Sequence, residues 1–235
     1  MENSPNVAGK YLVIEGNDGT GKSTQVDMLA AWLRERGREV VVVEEPGSDD
    51  EAKTTPVANE YRRVLKDDRF KLDPEVNVLL FSAARRELWF HKIEPALQRG
   101  AVVLSSRSYL STLVYQGHGE GVAEDTIINM TKRFTHERYM NPDFVVVLFA
   151  DDQTRQQRIA ERGTTEAVDS FESRDDAFQQ KINDGYQIVA RAHNIPLILA
   201  ERSPTDVHQQ ILQEISKNRS EEHTSELQSR VSSSY

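Results

Sequence analysis

Eight residues near the N-terminus, Gly16-Asn17-Asp18-Gly19-Thr20-Gly21-Lys22-Ser23, fit the pattern GxxxxGK[ST]. Phosphate chemistry accounts for the spacing. Glycines let successive backbone N–H groups turn inward around phosphate oxygens, and the positive end of a following helix adds to the attraction. An ammonium at Lys22 reaches the β- and γ-phosphates of a nucleoside triphosphate, and the Ser23 hydroxyl is a ligand for Mg²⁺. A glycine-rich turn with a coincidental lysine would match the same pattern, so context decides. Here the apolar run Tyr11–Glu15 leads directly into the loop, and a helical pattern over Lys22–Arg36, with Val26, Leu29, Ala30 and Leu33 on one side, leads out of it. The loop is read as a nucleoside-triphosphate site.

The elements that must position this loop follow from the rest of the chain. Val40–Val43, Ala101–Leu104, Phe144–Phe149 and Leu197–Ala200 are further short apolar runs. Four consecutive valines suit a strand buried on both faces. Helical patterns lie between the runs, at Pro74–Leu97, Ser108–Tyr115, Glu124–Arg138, Gln153–Glu161 and Asp175–Ala192. Strands alternating with helices predict an α/β fold, with five parallel strands in one open sheet and helices on both faces.

Composition narrows the function. The 235 residues carry 29 Lys and Arg against 38 Asp and Glu, a net charge of −9. That balance argues against a surface that grips nucleic acid or an anionic membrane. With no cysteine, disulfides, thiolate metal sites and Cys nucleophiles are excluded. The six histidines show no metal-ligand spacing. No apolar run approaches the roughly 20 residues of a membrane-spanning helix, and the first residues lack a signal-peptide layout, so a cytoplasmic protein is expected. From Arg219 onward, RSEEHTSELQSRVSSSY has no period that buries a face. It is expected to be a disordered tail, and RSEEHTSELQSR resembles a translated sequencing-adapter oligonucleotide. Residues 1–218 are expected to form a single domain.

Beyond the loop the chain resembles the thymidylate kinase family from about Gly9 to Lys217. The resemblance rests on YLVIEGNDGTGKST, on Glu45-Pro46-Gly47, on LLFSAARRELWFHKIEPAL, on SRSYLSTLVYQG, and on Arg158, Arg162-Gly163 and Asp169-Ser170-Phe171-Glu172. It implies a P-loop NTPase-type three-layer fold with a helical lid at about 158–174. It also implies transfer of phosphate from ATP to dTMP with Mg²⁺, and a homodimer. ATP would be held by Gly16, Asn17, Asp18, Gly19, Thr20, Gly21, Lys22, Ser23 and Thr24, with Arg158 and Arg162 closing over it. Lys22, Arg107 and Asp18 would be catalytic, and Ser23 and Asp18 would serve the metal. Phe81, Arg85, Arg107, Thr112, Tyr115 and Gln116 would bind the acceptor, with Phe81 stacking on the base and Arg85 contacting its carbonyl.

The residues themselves leave blander readings beside these. On spacing alone Phe81 reads as core, Arg85 and Arg86 as a solvated helix face, and Arg158 and Arg162 as an exposed basic face. Arg85 lies four residues after Phe81, on the same side of a helix. Arg107 follows a buried strand, at the carboxyl edge where α/β sheets bind ligands, and suits bidentate capture of a phosphate monoester. Three positions depart from the family pattern: Glu44 where an Arg is usual, Ser106 where an Asp is usual, and Ser170 where the lid has an Arg. Arg62, Arg63 and Arg174 are the candidates to replace that charge. IEGNDGTGKST and Ser106-Arg107-Ser108 also echo deoxynucleoside kinases, whose neutral acceptor hydroxyl needs a carboxylate base such as Glu44 or Glu45. A degenerate ATP-binding regulator is the non-enzymatic alternative, and the absence of an NKxD element weighs against a GTPase.

Overall fold

The computed structural model describes residues 9–161, 171 and 174–232, with 219–232 as backbone only. Five strands, β1 (Lys10–Gly16), β2 (Val40–Glu44), β3 (Val102–Ser106), β4 (Phe144–Phe149) and β5 (Leu197–Leu199), form one parallel sheet in the order β2-β3-β1-β4-β5. Around it run α1 (Lys22–Arg34), α2 (Pro56–Lys66), α3 (Pro74–Leu88), α4 (Glu94–Gln98), α5 (Tyr109–Thr112), α6 (Glu124–Phe134), α7 (Glu137–Met140), α8 (Asp152–Glu161), α9 (Asp176–Ala192) and α10 (Pro204–Ser232).

The sheet is the predicted one, and β1 shows why both faces must be covered. Its alternate residues Tyr11 and Val13 join a core with α3, α6 and α9, while Leu12 and Ile14 join a second core with α1 and α10. The four valines of β2 are a partial exception. This strand is the sheet's edge, and only Val43 is fully buried.

Three predicted helices are interrupted. The pattern from Pro74 runs on through a π-helical turn, Trp89–Ile93, into α4. Pro95 explains the turn, because it has no N–H to donate and its ring crowds the carbonyl four residues back. Likewise α5 passes into a π-helical stretch, Leu113–Gly119. Between α6 and α7 the Thr135 hydroxyl bonds the Thr131 carbonyl at 2.6 Å, and the His136 ring accepts from Arg138 N–H at 3.1 Å, starting a new turn.

Two helices have no counterpart in the sequence reading. α2 starts at a cap, where Thr55 Oγ1 accepts from Ala58 N–H at 3.1 Å and Pro56 takes the first helical position. Of its apolar residues Ala58 and Leu65 are buried and Tyr61 packs partly against the core. α10 buries Val207 and Ile211 on the sheet and continues through Ser232, into the segment expected to carry no order. Extending an existing helix by polar helix formers costs little compared with nucleating one.

Register brings three strand ends to one level. Ser106 pairs with Ile14 on one side and Glu44 on the other. Arg107 N–H then donates to the Ile14 carbonyl at 3.1 Å, and Glu45 N–H to the Ser106 carbonyl at 3.2 Å. Glu15, Glu45 and Arg107 thus leave the sheet side by side.

Candidate active site

A cleft of about 640 Å³ opens at these carboxyl ends, the edge where parallel sheets bind ligands. One wall is the loop from Gly16 to Ser23. Gly16 sits at φ 142° and Gly19 at φ 81°. A Cβ on Gly16 would strike the Leu148 carbonyl at 2.4 Å, and one on Gly19 the Arg155 carbonyl at 2.7 Å, so only glycine fits either place. The α1 hydrogen-bond ladder begins with Gln25 N–H on the Gly21 carbonyl, 3.1 Å. The amides of Lys22, Ser23 and Thr24 precede it, and no side chain caps this end. Lys22 Nζ rests on the Asn17 carbonyl at 3.0 Å and reaches Asp18 Oδ1 at 3.4 Å.

Across the cleft stands Arg107, whose backbone is left-handed at φ 76°, a conformation that costs a residue with a Cβ and gathers at functional sites. Neighbours hold it there. Ser105 Oγ donates to the Arg107 carbonyl at 2.8 Å, and Ser108 N–H and Oγ donate to the buried Glu15 carboxylate at 2.6 and 2.8 Å. Ser111 Oγ adds a second hydroxyl to Glu15 at 2.8 Å. The Arg107 guanidinium pairs with Asp18 through one Nη. Through the other it donates to Tyr186 Oη at 3.0 Å and Ser111 Oγ at 3.2 Å.

The electrostatics follow from this packing. Burial alone would raise the Asp18 carboxyl, but Arg107, Lys22 and the Tyr115 hydroxyl outweigh it and hold Asp18 far below the usual carboxylate range. Burial, with Arg107 nearby, pulls Lys22 down to about 8 against the attraction of Asp18 and Glu15. Burial also opposes the Arg107 charge, and Asp18 more than offsets it. Burial keeps Tyr186 protonated.

The far end of the cleft is aromatic. Phe81 lies 6.2 Å from Phe171, and Tyr115 meets Phe171 edge-on at 5.8 Å. Tyr115 Oη donates to Asn17 Oδ1 at 3.0 Å and Asp18 Oδ2 at 3.2 Å. Arg85 is buried rather than solvated. Its Nε donates to Glu45 at 2.9 Å, and its Nη2 to the Ser108 carbonyl at 3.1 Å and Thr112 Oγ1 at 2.6 Å. Arg85 Nη1 and Gln116 Oε1 are buried without a hydrogen-bond partner among the described residues. Glu45 also accepts from Tyr139 Oη at 2.6 Å, and burial raises its carboxyl against both partners. A Glu45 so enclosed is a poor base for an incoming hydroxyl. Glu44 faces the cleft and accepts from Ser48 Oγ at 2.8 Å.

All the substrate-site candidates, Phe81, Arg85, Arg107, Thr112, Tyr115 and Gln116, line this one cleft with Asp18, Gly19, Gly21, Lys22, Ser23, Thr24 and Arg158. Asn17 is buried beneath the loop and Thr20 Oγ1 bonds its carbonyl at 2.7 Å. Arg158 donates to the Ala200 carbonyl at 2.7 Å and to the Gly19 carbonyl at 3.4 Å. Arg162 and Ser170 fall outside the described residues, as does most of 158–174 beyond Glu161. Of the replacement cations, Arg62 lines the cleft and pairs with Asp49 at 2.8 Å. Arg63 pairs with Glu60 and Arg174 with Glu120. Sequence reading missed Glu15, Tyr186 and Arg155. Glu15 alone left a signal, as the one charged residue closing an apolar strand before the loop.

A phosphate loop on the central strand of a parallel sheet, facing an arginine from the next strand end, defines a P-loop nucleotide-binding protein. The thymidylate kinase family model matches residues 14–211. A thymidylate kinase of an Exiguobacterium species is 32% identical over 209 residues, covering 88% of this chain and 93% of its own. That of Caldicellulosiruptor saccharolyticus is 36% identical over 183 residues, covering 78% and 84%. The crystal structure of thymidylate kinase from Ehrlichia chaffeensis shares the fold, with a TM-score of 0.69 at 24% identity over 88% of this chain and 99% of that one. This chain belongs to the thymidylate kinase family and is a phosphotransferase.

Proposed function

We propose that the cleft moves the γ-phosphoryl group of ATP to the 5′-phosphate of dTMP, giving dTDP and ADP. The observation that carries this reading is the meeting of Lys22 and Arg107 over Asp18, between the loop and the aromatic end. An acceptor oxygen of dTMP bonds the γ-phosphorus while the bridge to the β-phosphate breaks, and the electron pair leaves with ADP. A phosphate monoester is largely ionised near neutral pH, so no general base is needed. Catalysis is then positioning and charge neutralisation. The loop amides and Lys22 hold the ATP phosphates. Arg107 exchanges part of its hold on Asp18 for the acceptor phosphate, with Arg62 as a further cation on that side.

The donor set suits a hard cation, since Ser23 offers a hydroxyl and Asp18 a carboxylate kept ionised. Mg²⁺ bound there would neutralise charge developing between the β- and γ-phosphates. At the other end Phe81 stacks on the base and Tyr115 packs against the sugar. The partnerless Arg85 Nη1 and Gln116 Oε1 match a pyrimidine edge with one carbonyl acceptor and one N–H donor, which thymine presents. Thr112 serves by fixing Arg85. The lid at 158–174, with Arg158 and Arg162, is part of this proposal.

No described helix is long and apolar enough to cross a membrane, and we place the enzyme in the cytoplasm. We assign it a homodimer packed through α3 and the π-helical turn after it, where Val76, Leu79 and Phe90 are exposed. ADP release with Mg-ATP tests the activity, with dTMP, dUMP, other monophosphates and thymidine offered separately. Turnover with dTMP that collapses in Lys22→Ala and Arg107→Ala supports it. Turnover with thymidine alone, or ATP binding with no turnover on any acceptor, overturns it.

A further inference from the structure

Arg155 belongs to the first turn of α8 and stands behind the phosphate loop, with its side chain only 3% exposed. Its Nε donates to the Asp18 carbonyl at 2.7 Å and its Nη1 to Asp152 Oδ1 at 2.6 Å; Nη2 lies 3.5 Å from Gln179 Oε1. The guanidinium is therefore oriented from α8 itself and from α9, and it bears on one backbone oxygen of the loop. That oxygen matters because a trans peptide points its C=O and the next N–H in opposite directions. With the Asp18 carbonyl drawn back onto Arg155, the Gly19 N–H faces forward. Gly19 lines the cleft, and its N–H has no acceptor among the described residues. The same turn of α8 closes the space behind the loop, since a Cβ on Gly19 would meet Arg155 backbone atoms at 2.7 to 3.1 Å.

We propose that Arg155 is a positioning residue for the triphosphate cradle: by holding the Asp18 carbonyl it locks the Asp18–Gly19 peptide with its N–H toward the ATP phosphates. The inference rests on the reading of the loop as the ATP site. Glycine at 19 allows the peptide to flip at little cost, so without an outside hold the loop would spend part of its time with a carbonyl facing the phosphates. The expected signature is selective: ATP and ADP affinity suffer, and dTMP affinity does not.

The test uses the full chain, with dissociation constants for Mg-ATP and dTMP from titration calorimetry and thermal unfolding of each variant. Arg155→Ala is expected to weaken ATP binding by about tenfold or more, the size of one charge-assisted hydrogen bond, with dTMP binding unchanged within about twofold. Arg155→Gln keeps a donor without the charge and is expected to recover part of the loss. Should Arg155→Ala fail to fold, Asp152→Asn frees the guanidinium while leaving it in place, and is expected to weaken ATP binding alone. Unchanged ATP affinity in these variants overturns the inference. So does a parallel loss of ATP and dTMP affinity that tracks lowered thermal stability. Failure of the unaltered protein to bind ATP would instead overturn the reading of the loop, and this inference with it.

Discussion

The Arg107 guanidinium and the Lys22 ammonium share one carboxylate, that of Asp18, although they come from the end of β3 and the start of α1. Three charges drawn together from three segments make this a preorganised place for phosphate oxygens. Lys22→Ala is accordingly expected to lower kcat by about 10²–10³-fold, read from steady-state ADP release at saturating substrates.

The same packing sets a pH dependence. Lys22 is charged in the free protein only below about 8, so kcat/KM for ATP should fall as pH rises through that value. The sign for stability is opposite. Between that pH and the ordinary lysine value of 10.5, the unfolded chain binds the proton and the folded one does not, so stability rises with pH across the window. A pH–rate profile whose basic limb stays in place in Lys22→Arg would refute the assignment.

Arg107 separates backbone strain from chemistry. Arg107→Gly removes the cost of a Cβ at φ 76°, and should unfold at higher temperature than Arg107→Ala by the equivalent of about 1 kcal/mol. Both should lose activity. Arg107→Lys keeps a charge without the fork and should raise the KM for dTMP by about tenfold or more.

Beneath the acceptor end, Arg85 and Glu45 form an ion pair with both side chains 2% exposed. Arg85→Ala leaves a carboxylate buried without its cation and should cost about 3–5 kcal/mol in urea denaturation. Glu45, already raised by burial, can escape that cost only by taking up a proton. The loss should therefore be smaller at pH 5 than at pH 8.

Leu79→Glu places a charge in the middle of the exposed apolar face of α3, where Leu79 is 48% exposed. It should shift the protein from dimer to monomer in light scattering while preserving its circular dichroism. A monomeric parent protein would remove the quaternary assignment altogether.

Much of this was legible from spacing. Strong apolar runs marked all five strands, because a parallel sheet covered on both faces leaves its strands few polar positions. GxxxxGK[ST] marked the loop for the same physical reason that it binds phosphate. Other features had a weak local signature or none. α2 does carry a helical period, with Val57, Ala58, Tyr61, Val64 and Leu65 recurring on one side, but the run is short and interleaved with charged residues, and Pro95 was not read as the source of a π-helical turn. Arg155 and Tyr186 look like surface residues in sequence; both are buried because elements distant along the chain close over them. The Arg85 network belongs to the same class, since Glu45, Ser108 and Thr112 meet that side chain only after β2, α3 and α5 have docked.

The π-helical stretch Leu113–Gly119 carries Tyr115 and Gln116. Its ladder closes five residues apart instead of four, so it packs more residues into each turn than the α5 that runs into it. Each helical residue advances about 100° around the axis. No helix follows before α6, so deleting one residue between α5 and Tyr115 would leave α5 in place and turn Tyr115 and Gln116 by about that angle. The way Tyr115 and Gln116 face the cleft is thus written in the length of this segment as much as in its residues. Relatives with a different preference can be sought among length variants of this segment.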